Sequence, residues 1–346
     1  MNRLIRVLVV DDSAFARKVM KEMLSRSPYI EVVGAARDGD EALELVEQTK
    51  PDVVTCDLMM PRVDGATFVR QQMARRPLPV LIVSVADENA ALALQALEAG
   101  AVDFVQKPTA LATDDLLRIR EELIEKVKGA ASAPVERLTA PIVAAQVRPV
   151  APPKTASRVD LLAIGVSTGG PQALRTLLPQ FSKDFPVPIA IVLHMPVGFT
   201  ALYAAKLDEV CELEVREAAE GDELRRGLVL VAAAGRHLVL RKQTGGAVVA
   251  HLSRRPADTL HRPSVDVMFR SAAEVFGDRV LAVVMTGMGH DGREGAAWVK
   301  AQGGTVLTEA EESCVIYGMP GSVVEAGLSD GSVPLSRLAE EIIKHL

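Results

Sequence analysis

Residues 6–13 read RVLVVDDS, a short apolar run that stops on two aspartates and a serine. An apolar run of that length bounded by polar residues is a buried strand, and its carboxyl end delivers acidic side chains to one place. The same pattern recurs outward along the chain in EVVGAA (31–36), DVVTCDL (52–58), PVLIVS (79–84) and DFVQ (103–106). Amphipathic stretches lie between these runs, among them Ser13–Ser25, Asp40–Gln48 and Glu88–Ala99. Strands alternating with helices predict an α/β fold, here a doubly wound, five-stranded parallel sheet over residues 1–128.

The alternation then stops. Residues 129–156 are rich in Ala, Pro and Ser and hold a Pro-Pro pair, which predicts a semi-extended linker. From residue 157 to 346 it resumes, in DLLAIGVS, VPIAIVLH, GLVLVAAA, RVLAVVMTG and GGTVLTE, with helices expected at Pro171–Leu178, Val265–Val275 and Arg293–Ala301. HLVLRK and AVVAHL, joined at Gly245-Gly246, predict an antiparallel hairpin within a second, mainly parallel doubly wound α/β domain. At 346 residues the chain has room for two cores.

Composition narrows the function classes. A net charge of −6 and an aromatic content of 3% give neither the basic footprint nor the stacking platform of a nucleic-acid binder. The 3 cysteines, Cys56, Cys211 and Cys314, are too scattered for a disulfide framework or a zinc spacing, which points to a reducing cytoplasm. The run Val7–Val10 has no cleavage-site pattern, and no stretch approaches the roughly 18 apolar residues of a membrane span. A cytoplasmic protein without membrane insertion is expected.

Asp11 and Asp12 end the first predicted strand and Asp57 the third, so in an open parallel sheet they share one crevice. Three carboxylates there repel one another unless a hard divalent cation such as Mg²⁺ holds them. Ser84 and Lys107 end strands four and five, adding a hydroxyl and an ammonium. The segments DDS (11–13), DLMMPRVDG (57–65), Ser84 and Lys107-Pro108 closely resemble the receiver domain of bacterial response regulators. The resemblance implies Asp57 as phosphoacceptor and Mg²⁺ held by Asp11, Asp12, Asp57 and the Met59 carbonyl. It also implies Ser84 and Phe104 as a switch pair and Lys107 on the phosphoryl oxygens. The competing structural reading, in which these acids cap helices, suits Asp12 or Ser13 alone better than the whole set.

LLAIGVSTGGP (161–171) is a strand, a glycine turn and a helix start, with Gly165, Gly169 and Gly170 suited to close backbone approach. By itself the loop fits either a phosphate cradle or an exposed serine nucleophile, although it lacks the Lys of a P-loop. Ser167, His194 and Asp291 all fall at carboxyl ends of predicted parallel strands. Hydroxyl, imidazole and carboxylate are the ingredients of an acyl-transfer triad. Thr168 is a rival nucleophile and His261 a rival base. His290 is expected to point away from the crevice, His237, His251 and His345 to be surface residues, and Ser264 with Asp266 to start a helix.

GVSTGGP, LHMPVGFT, HRPSVDVMF, MTGMGHDG and ESCVIYGMP resemble the catalytic domain of the chemotaxis protein-glutamate methylesterases, the CheB family. The resemblance implies Ser167 as nucleophile, His194 as base, Asp291 as its partner, and an oxyanion site of backbone amides near Thr168 and Met288, with no cofactor in the esterase domain. It implies methyl-esterified glutamates on chemoreceptor cytoplasmic domains as substrate, glutamine deamidation as a second activity, and a chemotaxis histidine kinase as phosphodonor. A receiver lying across the esterase crevice would block a bulky substrate until Asp57 is phosphorylated. Two other classes stay open on residues alone: a non-enzymatic receiver-linked binding module, and a nucleotide-binding effector using residues 165–170.

Overall fold

The computed structural model describes residues 3–85, 90–107, 113–134 and 158–346, in two compact units. The linker assigned to 129–156 therefore lies mostly outside the described residues, as do Glu88 and Pro108. Its first residues differ from expectation. The helix Thr113–Ser132 runs through Gly129, because Lys126 donates to the Phe104 carbonyl and Leu123 and Val127 are buried in the core, so the last turns stay attached to the sheet.

The first unit holds β1 (Ile5–Val10), β2 (Ile30–Ala36), β3 (Val53–Cys56), β4 (Val80–Ser84) and β5 (Asp103–Gln106). They pair in parallel in the order β2-β1-β3-β4-β5. β3 and β4 are buried at every position, which is why they read as continuous apolar runs. Helices Ala14–Leu24, Gly39–Thr49, Gly65–Arg75 and Ala90–Glu98 cover the faces, and Ser13, Asp38 and Asp64 cap the first three with their side chains.

The second unit is a seven-stranded parallel sheet in the order β14-β13-β12-β6-β7-β9-β8. Its strands are β6 (Leu161–Val166), β7 (Ile189–Leu193), β8 (Glu214–Glu217), β9 (Leu228–Val231), β12 (Val280–Val284), β13 (Thr305–Glu309) and β14 (Gly331–Val333). The expected hairpin is β10 (His237–Lys242) with β11 (Val248–Ser253), antiparallel from His237–Ser253 to Lys242–Val248. The two strands with no apolar signal, β8 and β14, are the sheet edges. They are short and partly exposed, so packing demands little of their side chains.

Both sheets reverse their strand order once, between β1 and β3 in the first and between β6 and β12 in the second. A crevice opens at the carboxyl ends of the strands at such a point. No described helix is long and apolar enough to cross a membrane.

Candidate active site

Ser167 follows β6 and His194 follows β7, and the residues before them, Val166 and Leu193, pair across the sheet. The two side chains thus leave neighbouring strand ends, and the His194 amide donates to the Val166 carbonyl at 3.2 Å. Asp291 reaches the same crevice from the loop after β12, on the opposite flank of β6.

His194 Nε2 lies 2.8 Å from Asp291 Oδ2. Its Nδ1 is buried and has no hydrogen-bond partner among the described residues, Ser167 Oγ included. With Nε2 committed to the carboxylate, Nδ1 is the nitrogen left to take a proton from a nucleophile. Hydrogen bonds of this kind are commonly loose until substrate binds.

The serine is held by its backbone. Its amide donates to the Thr286 carbonyl at 3.0 Å and its carbonyl accepts from the Gly170 amide at 2.7 Å. Thr286 Oγ1 donates to the Thr168 carbonyl at 2.9 Å, which ties the whole turn to the end of β12. Gly169 has a φ of +80°, a backbone region that disfavours any side chain, and this lets the chain turn sharply from β6 into helix Gly170–Leu177.

Gly165 and Gly170 are a correction to the sequence reading. A Cβ on Gly165 would sit 2.3 Å from Val265 Cγ1, and one on Gly170 would sit 2.7 Å from Val166 Cγ2. Their missing side chains make room for packing rather than for a ligand. Thr168 is 3% exposed, against 8% for Ser167, and its carbonyl is the atom Thr286 pins. Met288, the other residue expected near the oxyanion, follows Gly287, where a Cβ would meet Ser167 Cβ at 2.8 Å.

Asp291 sits on the amino terminus of helix Val265–Phe276. Its Oδ1 accepts from Ser264 Oγ and the Asp266 amide, each at 2.9 Å, and its Oδ2 accepts from the Val265 amide at 2.8 Å. Burial works to raise its pKa, but the His194 hydrogen bond and the helix amides outweigh it and hold the carboxyl well below the usual range. Neighbouring Asp266 shows the opposite shift: burial, and then the charge of Asp291, raise it to about 7. Asp266 Oδ1 accepts from the Gly292 amide at 2.9 Å and the Gly295 amide at 2.7 Å, so it braces the loop that carries Asp291.

His261 stacks on His194 with ring centroids 4.0 Å apart and an interplanar angle of 21°. It therefore lies against the face of the imidazole, while Asp291 holds its edge. His290 is exposed. His237 is a second correction: it is 0% exposed, and burial lowers its pKa. Its Nδ1 accepts the Ser264 amide at 3.2 Å while Nε2 faces the Pro256 carbonyl at 3.0 Å, which is the neutral tautomer. His251 and His345 are partly buried beside Glu220 and Glu341.

In the first unit, Asp11 and Asp57 are 3% and 6% exposed, and Lys107 Nζ bridges them at 2.6 and 2.7 Å. Burial raises the Asp11 pKa against the pull of Lys107. For Lys107 burial works to lower the pKa, but the hydrogen bonds to both carboxylates outweigh it and the net shift is upward. Asp12 is exposed, yet each of the three aspartates offers an oxygen within 4.8 Å of the others. Three converging carboxylates balanced by one ammonium fit a hard divalent cation, and oxygen-only donors fit Mg²⁺. Ser84 is buried at the end of β4 and Phe104 is buried within β5, and the Met59 side chain is exposed.

The CheB methylesterase family model matches residues 162–342, and the response regulator receiver domain matches residues 7–119. A protein-glutamate methylesterase/protein-glutamine glutaminase of Myxococcus xanthus is 48% identical over 99% of this chain and 98% of its own. The chain belongs to the CheB methylesterase family. A Geobacter sulfurreducens relative with the same type of name is 42% identical over 99% of this chain and 97% of its own. The crystal structure of the Thermotoga maritima CheB methylesterase catalytic domain aligns with a TM-score of 0.53 at 42% identity. It covers 54% of this chain and 99% of that one.

The residues that sequence reasoning placed only as structure are those that orient the CheB-type site. Ser264 both caps its helix and donates to Asp291, so its S-x-D start was legible as a cap but not as a carboxylate clamp. Thr286 carried no signal, because one hydroxyl in a glycine-rich turn is ordinary loop composition. Glu309 is 0% exposed and accepts the Thr286 amide at 2.9 Å, and it lay hidden at the end of an apolar strand.

Proposed function

We propose that this chain is a phosphorylation-activated serine esterase that hydrolyses glutamate methyl esters on the cytoplasmic domains of chemoreceptors, with Ser167, His194 and Asp291 as its triad. The observation that carries the reading is the His194–Asp291 contact of 2.8 Å with Nδ1 left unpaired at the strand end beside Ser167. A nucleotide-binding effector needs no such imidazole–carboxylate pair, and a passive binding module needs neither.

Ser167 Oγ attacks the ester carbonyl carbon while His194 Nδ1 takes its proton. Asp291 fixes the tautomer and stabilises the imidazolium that forms. Backbone amides near Thr168 and Met288 receive the charge that develops on the carbonyl oxygen. Collapse breaks the carbon–methoxy bond, and the His194 proton leaves with methanol. Water, deprotonated by His194, then attacks the acyl-serine, His194 returns that proton to the departing Ser167 Oγ, and the released glutamic acid gives up its proton to solvent. A receptor glutamine passes through the same acyl-serine with ammonia as leaving group. The esterase domain uses no cofactor.

In the receiver, Asp57 accepts a phosphoryl group from a chemotaxis histidine kinase. Asp11, Asp12, Asp57 and the Met59 carbonyl would hold Mg²⁺, which when bound neutralises the phosphoryl oxygens. Lys107 then contacts those oxygens, and Ser84 and Phe104 carry the change outward. A tenfold activation requires only about 1.4 kcal/mol of differential stability between inhibited and active states. These partners place the chain in the cytoplasm. Methanol release from methylated receptors, with and without a phosphodonor and Mg²⁺, tests the proposal. Release that ignores the phosphodonor would refute the control, and no release would refute the activity.

A further inference from the structure

The loops around the His194 imidazole carry positive charge without partners. In a chain of net charge −6, Arg236, Arg254 and Arg255 are exposed and make no ion pair among the described residues. The hairpin ends on the pair His237–Ser253, so Arg236, just before β10, and Arg254, just after β11, both lie at that end of it.

The same segment leads to His261, stacked on His194 at 4.0 Å. The Gly235 amide donates to the Arg262 carbonyl at 2.9 Å, which joins the Arg236 turn to it. Val197, from the loop after β7, touches this turn: a Cβ on Gly235 would lie 3.1 Å from its Cγ2. Val197 is 58% exposed and Leu260 77%. Three loops thus form one rim around the imidazole, with two bare apolar side chains flanked by unpaired guanidinium groups.

We propose that this rim is the docking surface for the protein segment carrying the scissile ester, and that it selects a segment with an apolar face and free carboxylates beside the reacting glutamate. The inference rests on the ester-hydrolase reading above, whose chemistry supplies the charge complementarity. Each turnover converts a neutral methyl ester into a carboxylate, so the substrate region becomes anionic as it is processed. A basic rim holds a partly hydrolysed segment more firmly than a fully esterified one, which favours successive cleavages on one molecule.

The test is steady-state methanol release from a purified chemoreceptor cytoplasmic fragment carrying glutamate methyl esters, at low and high salt. The full chain is compared with its Arg236→Glu/Arg254→Glu variant. KM rises about tenfold in the variant, equivalent to about 1.4 kcal/mol, while kcat stays within about twofold. The parent KM climbs with ionic strength and the variant KM does not. Lys242→Glu, five residues along β10 from His237 at about 3.3 Å per residue, leaves KM unchanged. An unchanged KM in the double variant, or an equal rise in Lys242→Glu, overturns the surface while the esterase reading stands. If the parent chain releases no methanol, that reading fails and the surface with it.

Discussion

Asp291→Asn isolates what the carboxylate does, because the side-chain shape is kept and only one oxygen changes. In the parent each oxygen accepts two hydrogen bonds: Oδ1 from Ser264 Oγ and the Asp266 amide, Oδ2 from His194 and the Val265 amide. An amide supplies one oxygen. If that oxygen stays at the Oδ1 position, the new NH₂ faces the Val265 amide and can only donate to His194 Nε2. His194 must then carry its proton on Nδ1, the nitrogen needed to deprotonate Ser167. If the amide flips, the NH₂ meets the Asp266 amide, a donor against a donor, and the imidazolium still loses its counter-charge. Either arrangement leaves one buried amide unsatisfied, at about 1–3 kcal/mol. That lowers the melting temperature of the esterase domain by about 2–12 °C. The wrong tautomer costs about 10⁴-fold in kcat, or about 5.4 kcal/mol of barrier. Methanol release from methylated receptor fragments gives kcat, and differential scanning calorimetry gives the stability. A folded Asp291→Asn variant within tenfold of parental kcat would refute the argument, because His194 would not depend on Asp291 for its tautomer.

Ser167→Ala removes only a hydroxyl at the crevice, so turnover falls by about 10⁶-fold with the fold intact; near-normal release would transfer the role to Thr168, to be checked with Thr168→Ala. His194→Gln approaches the same severity, whereas His261→Gln, which loses a stacked ring but leaves the Asp291 pair in place, keeps substantial activity; the reverse order in a kcat comparison sinks the base assignment. Asp266 adds a pH signature. Its folded-state pKa of about 7 lies above the ordinary carboxylate value of 3.8, so its contribution to stability is full below about 4 and is lost as pH rises towards 7. Asp266→Asn, which can still accept from the Gly292 and Gly295 amides, flattens that decline in melting scans across the window, and parallel curves for the two proteins would contradict it. Asp57→Asn stays at basal activity with phosphodonor and Mg²⁺ present. A chain starting near Ser157, comparable to the separately solved Thermotoga maritima catalytic domain, should outpace the unphosphorylated full chain in receptor demethylation; equal rates would exclude inhibition by the receiver.

Much of this protein follows from local pattern. Buried parallel strands must be apolar on both faces, so β1, β3, β4, β6, β7 and β12 announce themselves as continuous runs. Because such a sheet delivers strand ends to one crevice, the places of Asp11, Asp57, Ser167 and His194 just after those runs, and of Asp291 in the glycine-rich turn that follows β12, already pointed to shared crevices. The edge strands β8 and β14 were not legible, since a half-exposed edge puts little constraint on composition. Nor was the choice of ring nitrogen. Only the tertiary structure sets Nε2 against Asp291 and leaves Nδ1 without a partner among the described residues, because that depends on where the loop after β12 ends relative to β7. The same holds for Ser264, Asp266, His237 and Thr286. None carries a signal of its role in sequence, and each joins the support of Asp291 or Ser167, His237 through Ser264, by contacts 20 or more positions away. Periodicity encodes which face of an element is buried, whereas a hydrogen bond between distant segments is decided by packing.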